Sequence, residues 1–140
     1  MKNKQTIKRL PPNFQEEEKI LLEKGFNSWS AIMEIKDEEI NQLVEVSLAT
    51  TRNIKRLRCI ALFINEINLS QGEAALLMHS GIPSIDALAR LSPQELVLKT
   101  GRLERLLNTG RNPIVTLKIA NMWIEKAKNR RPHKTTIHLP

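Results

Sequence analysis

Arg52, Lys55, Arg56 and Arg58 follow one another at i, i+3 and i, i+4 spacing, which on a helix gathers their charges on one face. Arg102, Arg105, Arg111 and Lys118 repeat that placement in the second half of the chain. Cations grouped in this way can neutralise phosphates and release the counterions held by a polyanion, so such binding weakens as salt rises. The plainer reading is a solvated helix face, paired with the acidic first helix of the other repeat.

Other reactive side chains are arranged less suggestively. Glu16-Glu17-Glu18 and Asp37-Glu38-Glu39 are acid clusters, but they stand at helix starts, where carboxylates favour the helix dipole, and that role suffices. His79, His133 and His138 are scattered, without metal-ligand spacing, so no metal is expected. Trp29 and Trp123 could stack on bases, yet both fall at apolar-periodic positions and are expected in the core. The lone cysteine, Cys59, excludes an internal disulfide and reads as a small buried hydrophobe. No nucleophile or general acid is marked out, so neither an enzyme nor a cofactor is expected.

The elements that must position these residues are helices. The chain has 140 residues, 41% hydrophobic and 4% aromatic with no tyrosine, so its core is built from Leu, Ile, Val, Ala and Met. That composition, with five glycines, favours an all-α fold. No apolar run is long enough to cross a bilayer and the N-terminus lacks a signal-peptide pattern, which predicts a cytoplasmic protein without a membrane partner. The net charge of +7 lies in the ends: Lys2, Lys4, Lys8 and Arg9 on one side, Lys126, Lys128, Arg130, Arg131 and Lys134 on the other, with no acid among them. The body between is net acidic.

Pro11-Pro12 closes a basic N-terminal arm, residues 1–12. Asn13 with Glu16 predicts a capped helix carrying Ile20, Leu21 and Leu22 inward and stopping at Gly25. Ser28 restarts a short helix with Trp29, Ile32 and Met33, Asp37 caps a third with Ile40 and Leu43, and Thr50 or Thr51 opens a long one with Ile54, Leu57, Ile60, Ala61 and Ile64. The grammar then recurs. Ser70-Gln-Gly-Glu73 is a capping box before Leu76, Leu77 and Met78, Gly81 ends that helix, and Ser84 and Ser92-Pro93-Gln94-Glu95 open the next two. A basic turn is expected from Gly101 to Leu107, then Asn112-Pro113 and a last helix through Ile114, Leu117, Met122, Trp123 and Ala127. At one constant offset Ile20/Leu76, Gly25/Gly81, Ser28/Ser84, Ala31/Ala87, Glu39/Glu95 and Ile40/Leu96 coincide, and a short insertion aligns Arg52-Asn53 with Arg111-Asn112. The expected organisation is two repeats, 13–68 and 69–128, with a basic tail 129–140. Together they make one compact domain of about eight short helices, because neither half buries enough surface alone.

The segment Leu77 to Leu96 resembles the helix-hairpin-helix units of transcription factor NusA and of the C-terminal domain of the RNA polymerase α-subunit, through its Gly-Ile-Pro-Ser turn and the Leu-Ser-Pro-Gln-Glu-Leu that follows. Over Glu18 to Ala127, with Thr100-Gly-Arg-Leu-Glu-Arg-Leu106 and Trp123-Ile-Glu-Lys-Ala127, the chain looks like the bacterial DUF4332 proteins, a family without an established activity that is grouped with helix-hairpin-helix folds. The resemblance implies a tandem helix-hairpin-helix-like fold and phosphate contacts at the turns. In such units a Gly-h-Gly turn aims backbone amides at a phosphate. Here Gly81-Ile82-Pro83 puts a proline where the second glycine would stand, and Gly25-Phe26-Asn27 an asparagine. The second phosphate-facing turn of such units is matched by Gly110-Arg111-Asn112, while Thr51-Arg52-Asn53 lacks the glycine. The expected function is a non-enzymatic module that holds DNA or RNA by backbone phosphates through Arg52, Asn53, Lys55, Arg56, Arg102, Arg105, Gly110, Arg111, Asn112 and Lys118. The alternative is a protein-protein interaction adaptor.

Overall fold

A computed structural model describes residues 12–107 and 113–130, and among them the secondary structure is helical apart from an isolated bridge at Ser28. The first half comprises α1 (Gln15–Glu23), α2 (Trp29–Met33), α3 (Asp37–Glu45) and α4 (Thr51–Ile67). The second comprises α5 (Gln71–His79), α6 (Ile85–Ala89), α7 (Pro93–Leu107) and α8 (Leu117–Asn129).

Local chemistry sets most of these boundaries. The hydroxyls of Ser28, Thr50, Ser70, Ser84, Ser92 and Thr116 each accept the backbone N–H three residues on, at 3.0 to 3.2 Å. Glu73 and Glu95 return the bond to the N–H of Ser70 and Ser92, completing two capping boxes. Gly25 and Gly81 end α1 and α5 at φ +88° and +89°, conformations that glycine alone adopts without strain. At both ends the chain folds back alike, Phe26 N–H donating to Leu21 and Ile82 N–H to Leu77.

Four boundaries differ from expectation. Asn13 does not cap α1; a 3-10 turn, Pro12–Phe14, enters it instead, with Phe14 completely buried as the capping residue. Burying a phenylalanine is worth about 1.5–3 kcal/mol, more than the roughly 1 kcal/mol of an asparagine cap, and it decides the entry. Lys36 rather than Asp37 precedes α3, which places Glu39 where its carboxylate accepts the Lys36 N–H at 2.8 Å and frees Asp37 for Arg58. The basic turn expected over Gly101 to Leu107 is helical, a continuation of α7. Thr100 is fully buried with its hydroxyl bonded to the Leu96 carbonyl at 2.9 Å, and the Arg105 guanidinium lies over the space beside Gly101, so neither residue breaks the helix. Finally, α8 starts at Leu117 under a Thr116 cap, not at Pro113. The paired caps Thr50 and Thr116 therefore set Arg52 opposite Lys118, not Arg111.

One apolar core joins both halves, from Phe14 to Ala127. Its axis is α4, packed against α2, α3, α5 and α8, while α8 packs against α6 and α7. Trp29 and Trp123 are both buried, Trp29 completely, as expected of core residues. Polar ties cross between the halves: Trp29 Nε1 donates to Gln71 Oε1 at 3.2 Å, and Arg130 reaches Glu66 at 3.1 Å and Asp86 at 2.8 Å. The inward position expected of Leu22 is not adopted, and Ile114, Leu117 and Met122 are likewise at the surface; these four side chains are 45–53% exposed. In α8 the buried stripe is Ala120, Trp123, Ile124 and Ala127; Met122 falls on the opposite face of the helix, and Leu117 is its exposed first residue. No helix among the described residues is long and apolar enough to cross a membrane.

Candidate nucleic-acid interface

Arg52, Lys55 and Arg56 occupy the first turns of α4, Arg52 and Lys55 exposed and Arg56 half-buried. Arg58, read with them in the sequence, turns the other way: its Nη1 donates to the Ile35 carbonyl at 2.9 Å and to Asp37 at 3.0 Å, so its charge is spent inside the first half. Lys55 and Arg56 continue through Cys59 into a cleft of about 320 Å³, whose other side is Met78, Gly81 and Pro83. The start of the first half's long helix thus meets the α5–α6 turn of the second. Beside it His79 packs on the ring of Phe14, centroids 6.0 Å apart, and burial together with the nearby Arg56 charge holds its imidazole below the ordinary histidine range. Burial pushes the Cys59 thiol up to about 11, so it stays protonated near neutral pH, donating weakly to the Ile82 carbonyl at 3.8 Å.

Backbone donors in this region are already engaged. The N–H groups of Gly25, Phe26, Gly81 and Ile82 all donate to the carbonyls that end α1 and α5. At the start of α4 the Glu17 carboxylate, only 2% exposed, accepts the Thr50 N–H at 2.9 Å. The Asn53 amide donates to the Asn13 carbonyl at 3.3 Å. An internal anion therefore stands where a helix N-terminus would otherwise receive an external one. Sequence reasoning does not single out Glu17, although it precedes Ile20 and Leu21 by three and four positions and so shares their buried face.

Arg102, Arg105 and Lys118 form a second group. Arg102 and Arg105 are exposed on the last turns of α7, Lys118 on the first turn of α8, and the Ile114 N–H bonded to Glu104 at 3.2 Å ties the two segments together. Next to them in sequence are the exposed leucines Leu106, Leu107 and Leu117, and none of the three cations lines the α4 cleft. Gly110, Arg111 and Asn112 lie outside the described residues. No cluster of His, Cys, Asp and Glu among the described residues has the arrangement of a metal site.

The profile of the family described as Domain of unknown function (DUF4332) matches residues 11–130. The chain belongs to this family. No curated protein and no solved structure matches it. The DUF4332 span runs from the turn that enters α1 to the arginine that follows α8, so it contains every candidate interface residue. The basic residues Lys2, Lys4, Lys8, Arg9, Arg131 and Lys134 fall outside it.

Proposed function

We propose that this DUF4332 protein is a non-enzymatic module that binds nucleic acid by its phosphate backbone, at the cleft between α4 and the α5–α6 turn. The observation that carries the reading is the meeting of Lys55 and Arg56 with Gly81 and Pro83 in one cleft. Where the Gly81 and Ile82 amides are engaged and Pro83 has none, side-chain cations from the other half supply the positive charge. Arg52, one helical turn before Arg56, extends the same face outward. Such contacts position a polyanion without reading its bases, so little sequence preference is expected. A protonated thiol at Cys59 lends the cleft no nucleophile near neutral pH, in keeping with binding rather than turnover.

The test is fluorescence anisotropy of the full chain with a short DNA duplex and with single-stranded RNA, over a range of salt. Lys55→Gln with Arg56→Gln should weaken binding and lower the slope of log affinity against log salt by about one unit for each charge removed. A control chain with Lys2, Lys4, Lys8 and Arg9 changed to glutamine reports the N-terminal arm separately. Unchanged affinity and slope in the cleft variant, or no binding at low salt, would overturn the proposal.

A further inference from the structure

The two halves expose apolar side chains at the same place, the junction between third and fourth helix, but with opposite charge around them. In the first half Val46 and Leu48 are 64% and 78% exposed; exposed Glu45, the last residue of α3, directly precedes Val46, and exposed Glu38 stands at the other end of α3. Val46 also edges a groove of about 270 Å³ between the α1–α2 turn and α3, with Phe26 and Leu43 as its other apolar residues and Lys24, Glu39 and Gln42 as its polar ones. In the second half Leu106 and Leu107 project from the end of α7, 78% and 64% exposed, with Arg102 and Arg105 on the preceding turn and Lys118 on the facing start of α8. One half thus presents a concave apolar surface with acids beside it, the other a convex apolar surface with bases beside it. Contiguous exposed apolar surface with a charged border marks an interaction site, and complementary charge names the partner.

We propose that this chain binds a second copy of itself head to tail, Leu106 and Leu107 of one copy entering the α1–α3 groove of the next. Arg102 and Arg105 then face Glu38 and Glu45 of that copy. Of the groove-lining residues, Lys24 is the one that carries the same sign as the incoming bases. Because the contact joins two different surfaces, each pair keeps one groove and one projection free, and association extends unless its geometry closes a ring. The surfaces are small, so the contact is weak, with a Kd on the order of micromolar. It is independent of the α4 cleft and needs no nucleic acid.

Sedimentation of the full chain over a concentration series tests this, together with two substitutions at exposed positions, Leu106→Glu on the projection and Val46→Arg in the groove. Circular dichroism confirms that each variant is folded. Wild type should gain mass with concentration and lose it in high salt, and each variant alone should associate at least about tenfold more weakly. An equimolar mixture of the variants retains one intact contact, the Val46→Arg chain's leucines in the Leu106→Glu chain's groove, and should form dimers. Three results would overturn the proposal: wild type monomeric up to about 0.1 mM, far above such a Kd; either variant associating as wild type does; or a mixture no heavier than its components.

Discussion

Replacing Glu17 tests how the start of α4 is held and what that costs in binding. The carboxylate is 2% exposed and accepts the Thr50 N–H at 2.9 Å, immediately ahead of the positive end of a 17-residue helix. A hydrogen bond to a charged acceptor is worth about 1.5–3 kcal/mol, and the nearby dipole adds to it. Glu17→Ala should therefore lower the unfolding free energy by about 2 kcal/mol, which for a domain of this size is a fall in Tm of roughly 8 °C. Glu17→Gln keeps a neutral acceptor and should lose about half of that. Urea unfolding followed by the fluorescence of buried Trp29 and Trp123 measures it. On the proposed function, the same variants remove an anion that would compete with phosphate at the start of α4, so they should bind duplex DNA more tightly at low salt while being less stable. A Glu17→Ala chain within about 0.5 kcal/mol of wild type, a typical surface effect, would refute the assigned role.

Leu77→Ala, at a fully buried position in the shared core, should cost about 2–5 kcal/mol, and Trp29 and Trp123 should still report a single transition; separate transitions for the two halves would contradict the common core. Gly81→Ala meets open space around the new Cβ but must hold φ +89°, so a loss of about 1–2 kcal/mol in urea unfolding should arise from backbone strain alone. His79 has a lowered pKa in the fold, so the folded state binds its proton less readily than the unfolded chain; its stabilising contribution is whole above the unfolded value and is lost as pH falls through the folded one. A proton NMR titration should therefore find His79 below the ordinary histidine range, and Arg56→Gln should raise it part of the way back, since desolvation, the larger cause, remains.

The helix starts were legible because their signals are local. Ser28, Thr50, Ser70, Ser84 and Ser92 each bind an N–H three residues away, and nothing distant competes. Expectation failed where tertiary packing outweighed such signals. Phe14 displaced Asn13 at the start of α1, and Thr100 and Gly101, which look like breakers, are buried inside α7. The candidate site was legible as a charge pattern on α4 but not as a cleft. Its far side, Met78, Gly81 and Pro83, belongs to the other half, and no spacing along the chain tells which turn will face which helix. Arg58 and Arg56 look alike in the sequence; Asp37 and the Ile35 carbonyl, brought alongside by folding, separate a structural arginine from one left at the cleft.

The central place of α4 bears on how the chain comes together during synthesis. Its buried residues, Ile54, Leu57, Ile60, Ala61, Phe63, Ile64 and Ile67, cover about half the helix circumference, and α5 and α8 both pack on it. As translation proceeds from the N-terminus, α1 to α4 emerge first and can assemble through contacts close in sequence, which form quickly. The part of α4 that faces α5 and α8 then stays open to water until the second half follows. The last helix to emerge closes it, and Arg130 fastens that helix to Glu66 on α4 and Asp86 on α6. A chain stopped before α8 would present an uncovered apolar strip on α4, the kind of nascent surface that recruits chaperones.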